Sequence, residues 1–178
     1  MKDKRISILV IALLLAVCAT LTTQISKRIV IIAQSSQPTY ASSTRASKYF
    51  VAPDGNDSNP GTEALPWRTI QKAANTLVAG DTVYIKNGTY YERVLPARSG
   101  TSNNYIIYSA YPGHSPIIHG SGVSSGYKGL FEVQTKSYII ISGLTVRDSK
   151  AAAIYVRKSN DIIIRDNNTE ESVSTRLK

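Results

Sequence analysis

With 178 residues, 42% of them apolar but only two Phe and one Trp, the chain has room for one domain with a modest core of Ile, Val and Tyr. A formal charge of +9 would suit a nucleic-acid binder, yet residues 1–48 hold seven Lys or Arg against one acid, which leaves only +3 for the rest of the chain and disfavours nucleic acid. The single cysteine, Cys18, excludes an internal disulfide and a zinc site built on several thiolates.

The chain opens with "MKDKRISILVIALLLAVCATLTTQ", in which Lys2, Lys4 and Arg5 precede a mainly apolar run from Ile6 to Leu21. A basic start before a run this short fits an export signal better than a spanning helix, which needs about 20 residues. Residues 1–33 therefore read as a signal peptide or N-terminal anchor, and the protein as secreted or held at the cell surface. Contact with a membrane follows only if this segment stays uncleaved. Residues 34–48, rich in Ser, Thr, Gln and Ala, read as a linker.

Residues 49–79 pack a strand, a loop and a helix into a short space. "YFVA" is β-prone, and "PDGNDSNPGT" supplies the residues that fix turns. Pro66 suits a first helical position; Ile70, Ala73, Ala74 and Leu77 recur at helical spacing, and Gly80 suits the stop. The strand "DTVYIK" follows, and then "NG" and "TYYERV", where Asn87-Gly88 reads locally as a hairpin turn.

From residue 80 to 178 the β-rich segments recur at one interval, which argues against a simple hairpin. Val83 plus 23 is Ile106, and Ile139 to Ile141 plus 23 are Ile162 to Ile164; on a second track, Phe131 and Val133 plus 23 give Ile154 and Val156. Two tracks sharing one period mark a stacked solenoid, and rungs of about 23 residues predict an all-β parallel β-helix with Val83, Ile106, Phe131, Val133, Ile154 and Val156 inward and Ile139 and Ile162 in one stacked column. Ile106 to Ile139 is 33 residues, so a loop within "YPGHSPIIHGSGVSSGYKG", Tyr111 to Gly129, should be inserted into one rung. The open end of a solenoid needs a cap, and the helix around Ile70 to Leu77 is placed to be it.

"YFVAPDGNDSNPGTEALPWRTIQKAANTLVAGDTVYIKNGTYYERV", followed by "SGTSNNYIIYSAYPGHSPIIHG", closely resembles the N-terminal part of secreted right-handed parallel β-helix proteins. These include pectate lyases of the family-nine type and, more distantly, chondroitinase B-like lyases. The resemblance implies an exported polysaccharide lyase acting on or binding acidic, uronate-containing polysaccharide. Its chemistry would be calcium-assisted β-elimination, in which calcium or a basic cluster neutralises the uronate carboxylate and a Lys or Arg removes the neighbouring proton. In such relatives the catalytic residues sit on later rungs than this entry module. The reading is thus of an N-terminal portion, truncated at the C-terminus, inactive by itself and open to self-association through its last rung. The alternative is a noncatalytic surface β-helix that binds carbohydrate or presents a rigid face.

Candidate site residues follow from the same repeat. Asp148 should stack over Glu171, and two carboxylates one strand spacing apart would repel unless a cation, calcium by preference for oxygen ligands, lay between them. Arg147 and Lys150 in "RDSK", with Arg157 and Lys158 in "YVRKSND", are the candidates to bind an acidic sugar or act as base. "DGNDSN" starts like a calcium loop, but Leu65 stands where Glu is needed, so a turn is expected. His114 and His119 lack acidic or Cys companions in sequence, and Ser124 and Ser125 lack a nucleophile frame. Tyr84, Tyr90, Tyr91, Tyr108, Tyr111 and Tyr155 would stack on sugars where exposed, with about half expected simply to pack.

Overall fold

The computed structural model describes residues 46–124 and 126–170, which lie within the compact unit spanning residues 44–178. It is a parallel β-solenoid with one short helix. Sheet A stacks β1 (Lys48–Val51), β2 (Thr82–Ile85), β4 (Ile106–Ala110), β7 (Ile139–Ser142) and β10 (Ile162–Arg165). Sheet B stacks β3 (Thr89–Tyr90), β5 (Ile117–His119), β8 (Thr145–Arg147) and β11 (Asn168–Glu170), and sheet C pairs β6 (Gly129–Gln134) with β9 (Ala152–Arg157). All these pairings are parallel. β2 and β3 belong to different sheets, so Asn87-Gly88 turns a solenoid corner and the hairpin is excluded.

The 23-residue period holds in the last rungs. Ile139 pairs with Ile162, Val146 with Thr169, Phe131 with Ile154 and Val133 with Val156. Their corners repeat as well: Thr135 and Lys158, and Tyr138 and Asp161, all take left-handed backbone, as do Gly143 and Asp166. Each is 23 residues from its equivalent, so the turn geometry carries the period along with the strands. Gly143 tolerates φ +73° without cost and lies so close to Ala110 that a Cβ there would meet its methyl at 2.9 Å.

Earlier rungs are longer, and there the expected register fails. Val83 pairs with Tyr108, 25 residues on, and not with Ile106. Ile106 instead heads a column with Ile139 and Ile162. The slip is two residues, which keeps each side chain on the same face, so Val83 and Ile106 are both buried as expected. The segment from Tyr111 to Gly129 is not one loop: it contains β5, and Gly129 begins β6, so the extra length is divided between two corners.

The core runs through the interior of the three sheets, with Tyr108, Phe131, Ile118, Ile139 and Ile141 fully enclosed. Tyr108 meets Phe131 edge to face at 5.1 Å. Of the inward residues in the final rung, Ile154 is only half-buried and Val156 is exposed, while Ile164 is 47% exposed although its partner Ile141 is 0% exposed. No further strand covers them among the described residues.

The helix α1 (Ile70–Thr76) starts later than Pro66 suggests and ends before Gly80. Thr69 is its N-cap, accepting from the Lys72 N–H at 3.1 Å, and Leu77 is its C-cap. The two Glu92 oxygens accept the first-turn donors of Ile70 and Gln71, and Asp57 Oδ1 accepts the N–H groups of Arg68 and Thr69 just before the helix. At the other end Arg98 Nη1 donates to the carbonyls of Asn75 and Thr76 at 2.7 and 3.1 Å. Ile70, Ala73, Ala74 and Leu77 are buried against the core, where the first rung supplies β1 to sheet A but no strand to sheets B and C. The helix is the cap that the sequence implied.

Candidate functional site

Along sheet B the outward side chains form a ladder of paired charges. His119 and Arg147 are neighbours in register, as are Arg147 and Glu170. Asp148 Oδ2 lies 2.8 Å from His119 Nε2, and Glu170 Oε2 lies 2.5 Å from Arg147 Nη2. The Ser121 N–H donates to His119 Nδ1 at 3.1 Å, so the ring nitrogen facing Asp148 is the one that carries the proton. Two of the expected site residues, Arg147 and Asp148, are thus committed to partners in a nearly neutral array. Lys150 is exposed at the following corner, where its backbone N–H donates to Tyr127 Oη.

Glu171, the expected partner of Asp148, lies outside the described residues. Calcium prefers six to eight oxygens, and Asp148 offers one carboxylate already held by His119. No group of three or more His, Cys, Asp or Glu able to hold a metal ion occurs among the described residues. By itself Asp148 does not supply the oxygen ligands a calcium ion needs.

Sheet C differs. Phe131 and Val133 point inward, so Glu132 and Gln134 stand on the outer face, with Tyr155 and Arg157 beside them one rung on. A parallel bridge between Val94 and Phe131 adds the chain at Val94 to this sheet and brings Arg93 over Glu132. Arg93 Nη2 lies 2.5 Å from Glu132 Oε2. The Lys128 N–H donates to the same oxygen at 3.3 Å, and Gln134 Nε2 donates to the other. Burial alone would raise the Glu132 carboxyl, but hydrogen bonds from Arg93, Lys128 and Gln134, with the charge of Arg93, hold it below the usual range. Glu132 therefore stays ionised.

Around this anchor opens a pocket of 350 Å³ lined by Arg93, Leu95, Pro96, Glu132, Gln134 and Lys136. Arg93 Nε is buried there without a hydrogen-bond partner. Arg157 is exposed one strand spacing from Gln134, about 4.8 Å away, and Lys158 follows at the corner. Lys136 sits at the equivalent corner one rung earlier, its N–H on Ser159 Oγ at 3.3 Å. The ammonium and guanidinium groups of Lys136, Arg157 and Lys158 have no partner among the described residues. Beyond the Arg93–Glu132 pair, this face thus carries Lys136 in the pocket lining and Arg157 and Lys158 one rung on.

The structure sets Arg157 beside Gln134 on sheet C, with Lys158 next in the chain, and puts Arg147 on sheet B. Lys150 precedes β9 and Arg157 ends it, a strand about 20 Å long, while Arg147 lies on β8 in sheet B. Sequence reading missed Arg93, Glu132 and Lys136. The available signal was an acid between Phe131 and Val133 in an apolar strand, which needs a cation if it is buried. Of the six tyrosines named from the sequence, Tyr90 and Tyr108 are core, Tyr84 and Tyr111 pack with Phe50 on the outside of sheet A, Tyr155 is half-buried, and Tyr91 is 65% exposed.

The profile of the family described as "Pel9A-like, right handed beta helix region" matches residues 49–177. The chain belongs to this family. Over 128 residues it is 37% identical to the uncharacterized protein YwoF of Bacillus subtilis (strain 168), covering 66% of this chain and 27% of that protein. It is 30% identical over 106 residues to the pectate lyase PEL9 of Emericella nidulans, covering 52% of this chain and 26% of that enzyme. The chain thus spans about a quarter of the length of these curated relatives. Among solved structures it is similar to a rhamnogalacturonan lyase, with TM-score 0.52, 25% identity and coverage of 68% and 36% of the two chains. It also shares its fold with the pectate lyase Pel9A, with TM-score 0.54, 23% identity and coverage of 65% and 32%. A right-handed parallel β-helix of the polysaccharide lyase kind is the common architecture of this family member and those enzymes.

Proposed function

We propose that this chain is the N-terminal part of an exported, polysaccharide lyase-like β-helix protein, and that it binds acidic, uronate-containing polysaccharide across the outer face of sheet C. The observation that carries the reading is the excess of free cations around the Arg93–Glu132 pocket, set on a fold whose relatives include enzymes named as pectate and rhamnogalacturonan lyases. Uronate carboxylates along a polymer would meet Lys136, Arg157 and Lys158, while Arg93 stays committed to Glu132.

Elimination beside a uronate carboxylate needs cations to stabilise the forming enediolate and a base to take the neighbouring proton while the glycosidic oxygen leaves. Under this proposal the described rungs supply grip, and elimination is the work of the whole protein. Titrating the chain with oligogalacturonate tests the reading. Binding should weaken steeply with salt and fall about tenfold or more in Arg157→Glu and Lys136→Glu variants. Absence of binding, or binding indifferent to both substitutions, overturns it. The noncatalytic alternative shares this result and parts from the lyase reading in the full-length protein, where only the latter gives ultraviolet absorbance from an unsaturated product. Export is tested by deleting residues 2–21, which should retain the protein in the cytoplasm; secretion that persists removes the export signal from the account.

A further inference from the structure

A second cavity, of 520 Å³, lies beside the capping helix and shares no lining residue with the sheet C pocket. Its lining includes Arg68, Thr89, Tyr91 and the two helix-capping carboxylates, Asp57 and Glu92. Tyr91 is the most exposed large hydrophobic residue of the described chain, at 65%. Its ring rests 5.2 Å from that of His119, which is itself fixed by Asp148 and the Ser121 N–H. An exposed aromatic ring is therefore held on a braced support. The backbone of Arg68 is pinned by Asp57, while its guanidinium has no partner among the described residues.

The carboxylates are anchored but not exhausted. Asp57 Oδ2 accepts only the Thr69 hydroxyl, at 2.7 Å, and each Glu92 oxygen accepts one backbone N–H. A carboxylate has about four acceptor positions, so lone pairs remain for further donors. The combination is an apolar ring face, hydroxyl acceptors on two sides and one free planar donor. This matches the C–H face, hydroxyl groups and ring oxygen of a pyranose. Two carboxylates against one guanidinium disfavour an added negative charge. We infer that this cavity is a carbohydrate site for neutral sugar residues, distinct in place and charge from the acidic-polymer face on sheet C.

Calorimetric titration of the full chain with xylo-, cello- and galacto-oligosaccharides, and in parallel with oligogalacturonate, tests the inference. At least one neutral series should bind, with affinity reduced about tenfold by Tyr91→Ala, kept within about twofold by Tyr91→Phe, and weakened by Arg68→Ala. Oligogalacturonate binding should be unchanged by Tyr91→Ala. No binding of any neutral series, or neutral binding indifferent to Tyr91→Ala and Arg68→Ala, overturns the site. Because Tyr91 and Arg68 are surface residues, both variants should keep the parent melting temperature, which separates lost binding from lost fold. A chain that binds neutral sugars but not oligogalacturonate keeps this site and removes the sheet C reading.

Discussion

Tyr108 illustrates how single residues carry the fold. Its ring is enclosed between rungs, and its hydroxyl is buried with no hydrogen-bond partner; burial raises its pKa well above the usual value, so it remains neutral. An unsatisfied buried hydroxyl costs free energy that the ring contact with Phe131 must offset. Tyr108→Phe should therefore leave stability unchanged or raise it by up to about 1 kcal/mol, read from the denaturant midpoint; a clear loss would mean the hydroxyl has a partner. Glu92 presents the opposite bargain. Burial raises its pKa above the usual 4.5 despite the two N–H groups of α1 that lower it, and nearby Asp57 adds to the rise. A carboxyl whose folded pKa lies above its unfolded one favours the folded state most below the unfolded value, and that contribution is lost as pH rises through the folded value. A Glu92→Gln variant has no such loss, so it should gain stability relative to the parent as pH is raised through this window. A difference in melting temperature that stays constant with pH would contradict the assignment.

Elements were legible in the sequence where rungs are regular. The 23-residue spacing of β6 to β9, β7 to β10 and β8 to β11 rests on short corners with repeated left-handed positions, so strand and turn signals coincide. Between β2 and β4 the chain makes the longer excursion past Arg98 that serves the helix, and the register moves by two without any change in apolar pattern to betray it. The start of α1 was obscured because Pro66 imitates a first helical position while Thr69 does the capping. At the site, Arg157 and Lys158 were found because they stand together in sequence. Arg93 and Glu132 were not, because a 39-residue separation is closed only by the Val94–Phe131 bridge. The stacked columns make a graded prediction. Ile141→Ala should cost about 2–5 kcal/mol in an enclosed position, whereas Ile164→Ala, its half-exposed partner, should cost about 1 or less. Equal costs would mean that the final rung is covered.

For the molecule as a whole, the first and last rungs of the described residues are unlike. One is closed by α1, with every first-turn donor satisfied and four apolar side chains turned inward. At the other, Val156, Ile163 and Ile164 are exposed on parallel strands whose outer edges pair with no further strand among the described residues. Such an edge templates pairing. Residues 42–178 expressed alone should therefore self-associate, and Ile164→Lys should shift the measured mass toward the monomer; a parent chain already monomeric would refute this. Between those rungs the fold displays two chemically different faces, a charge-compensated ladder on sheet B and an uncompensated basic surface on sheet C. The assignment of acidic polysaccharide to the second of these is tested most directly by mapping amide chemical-shift changes as oligogalacturonate is added. The account predicts that they cluster at Arg93, Gln134, Lys136, Arg157 and Lys158, and fade in high salt. Changes centred instead on Arg147 and Lys150 would contradict it.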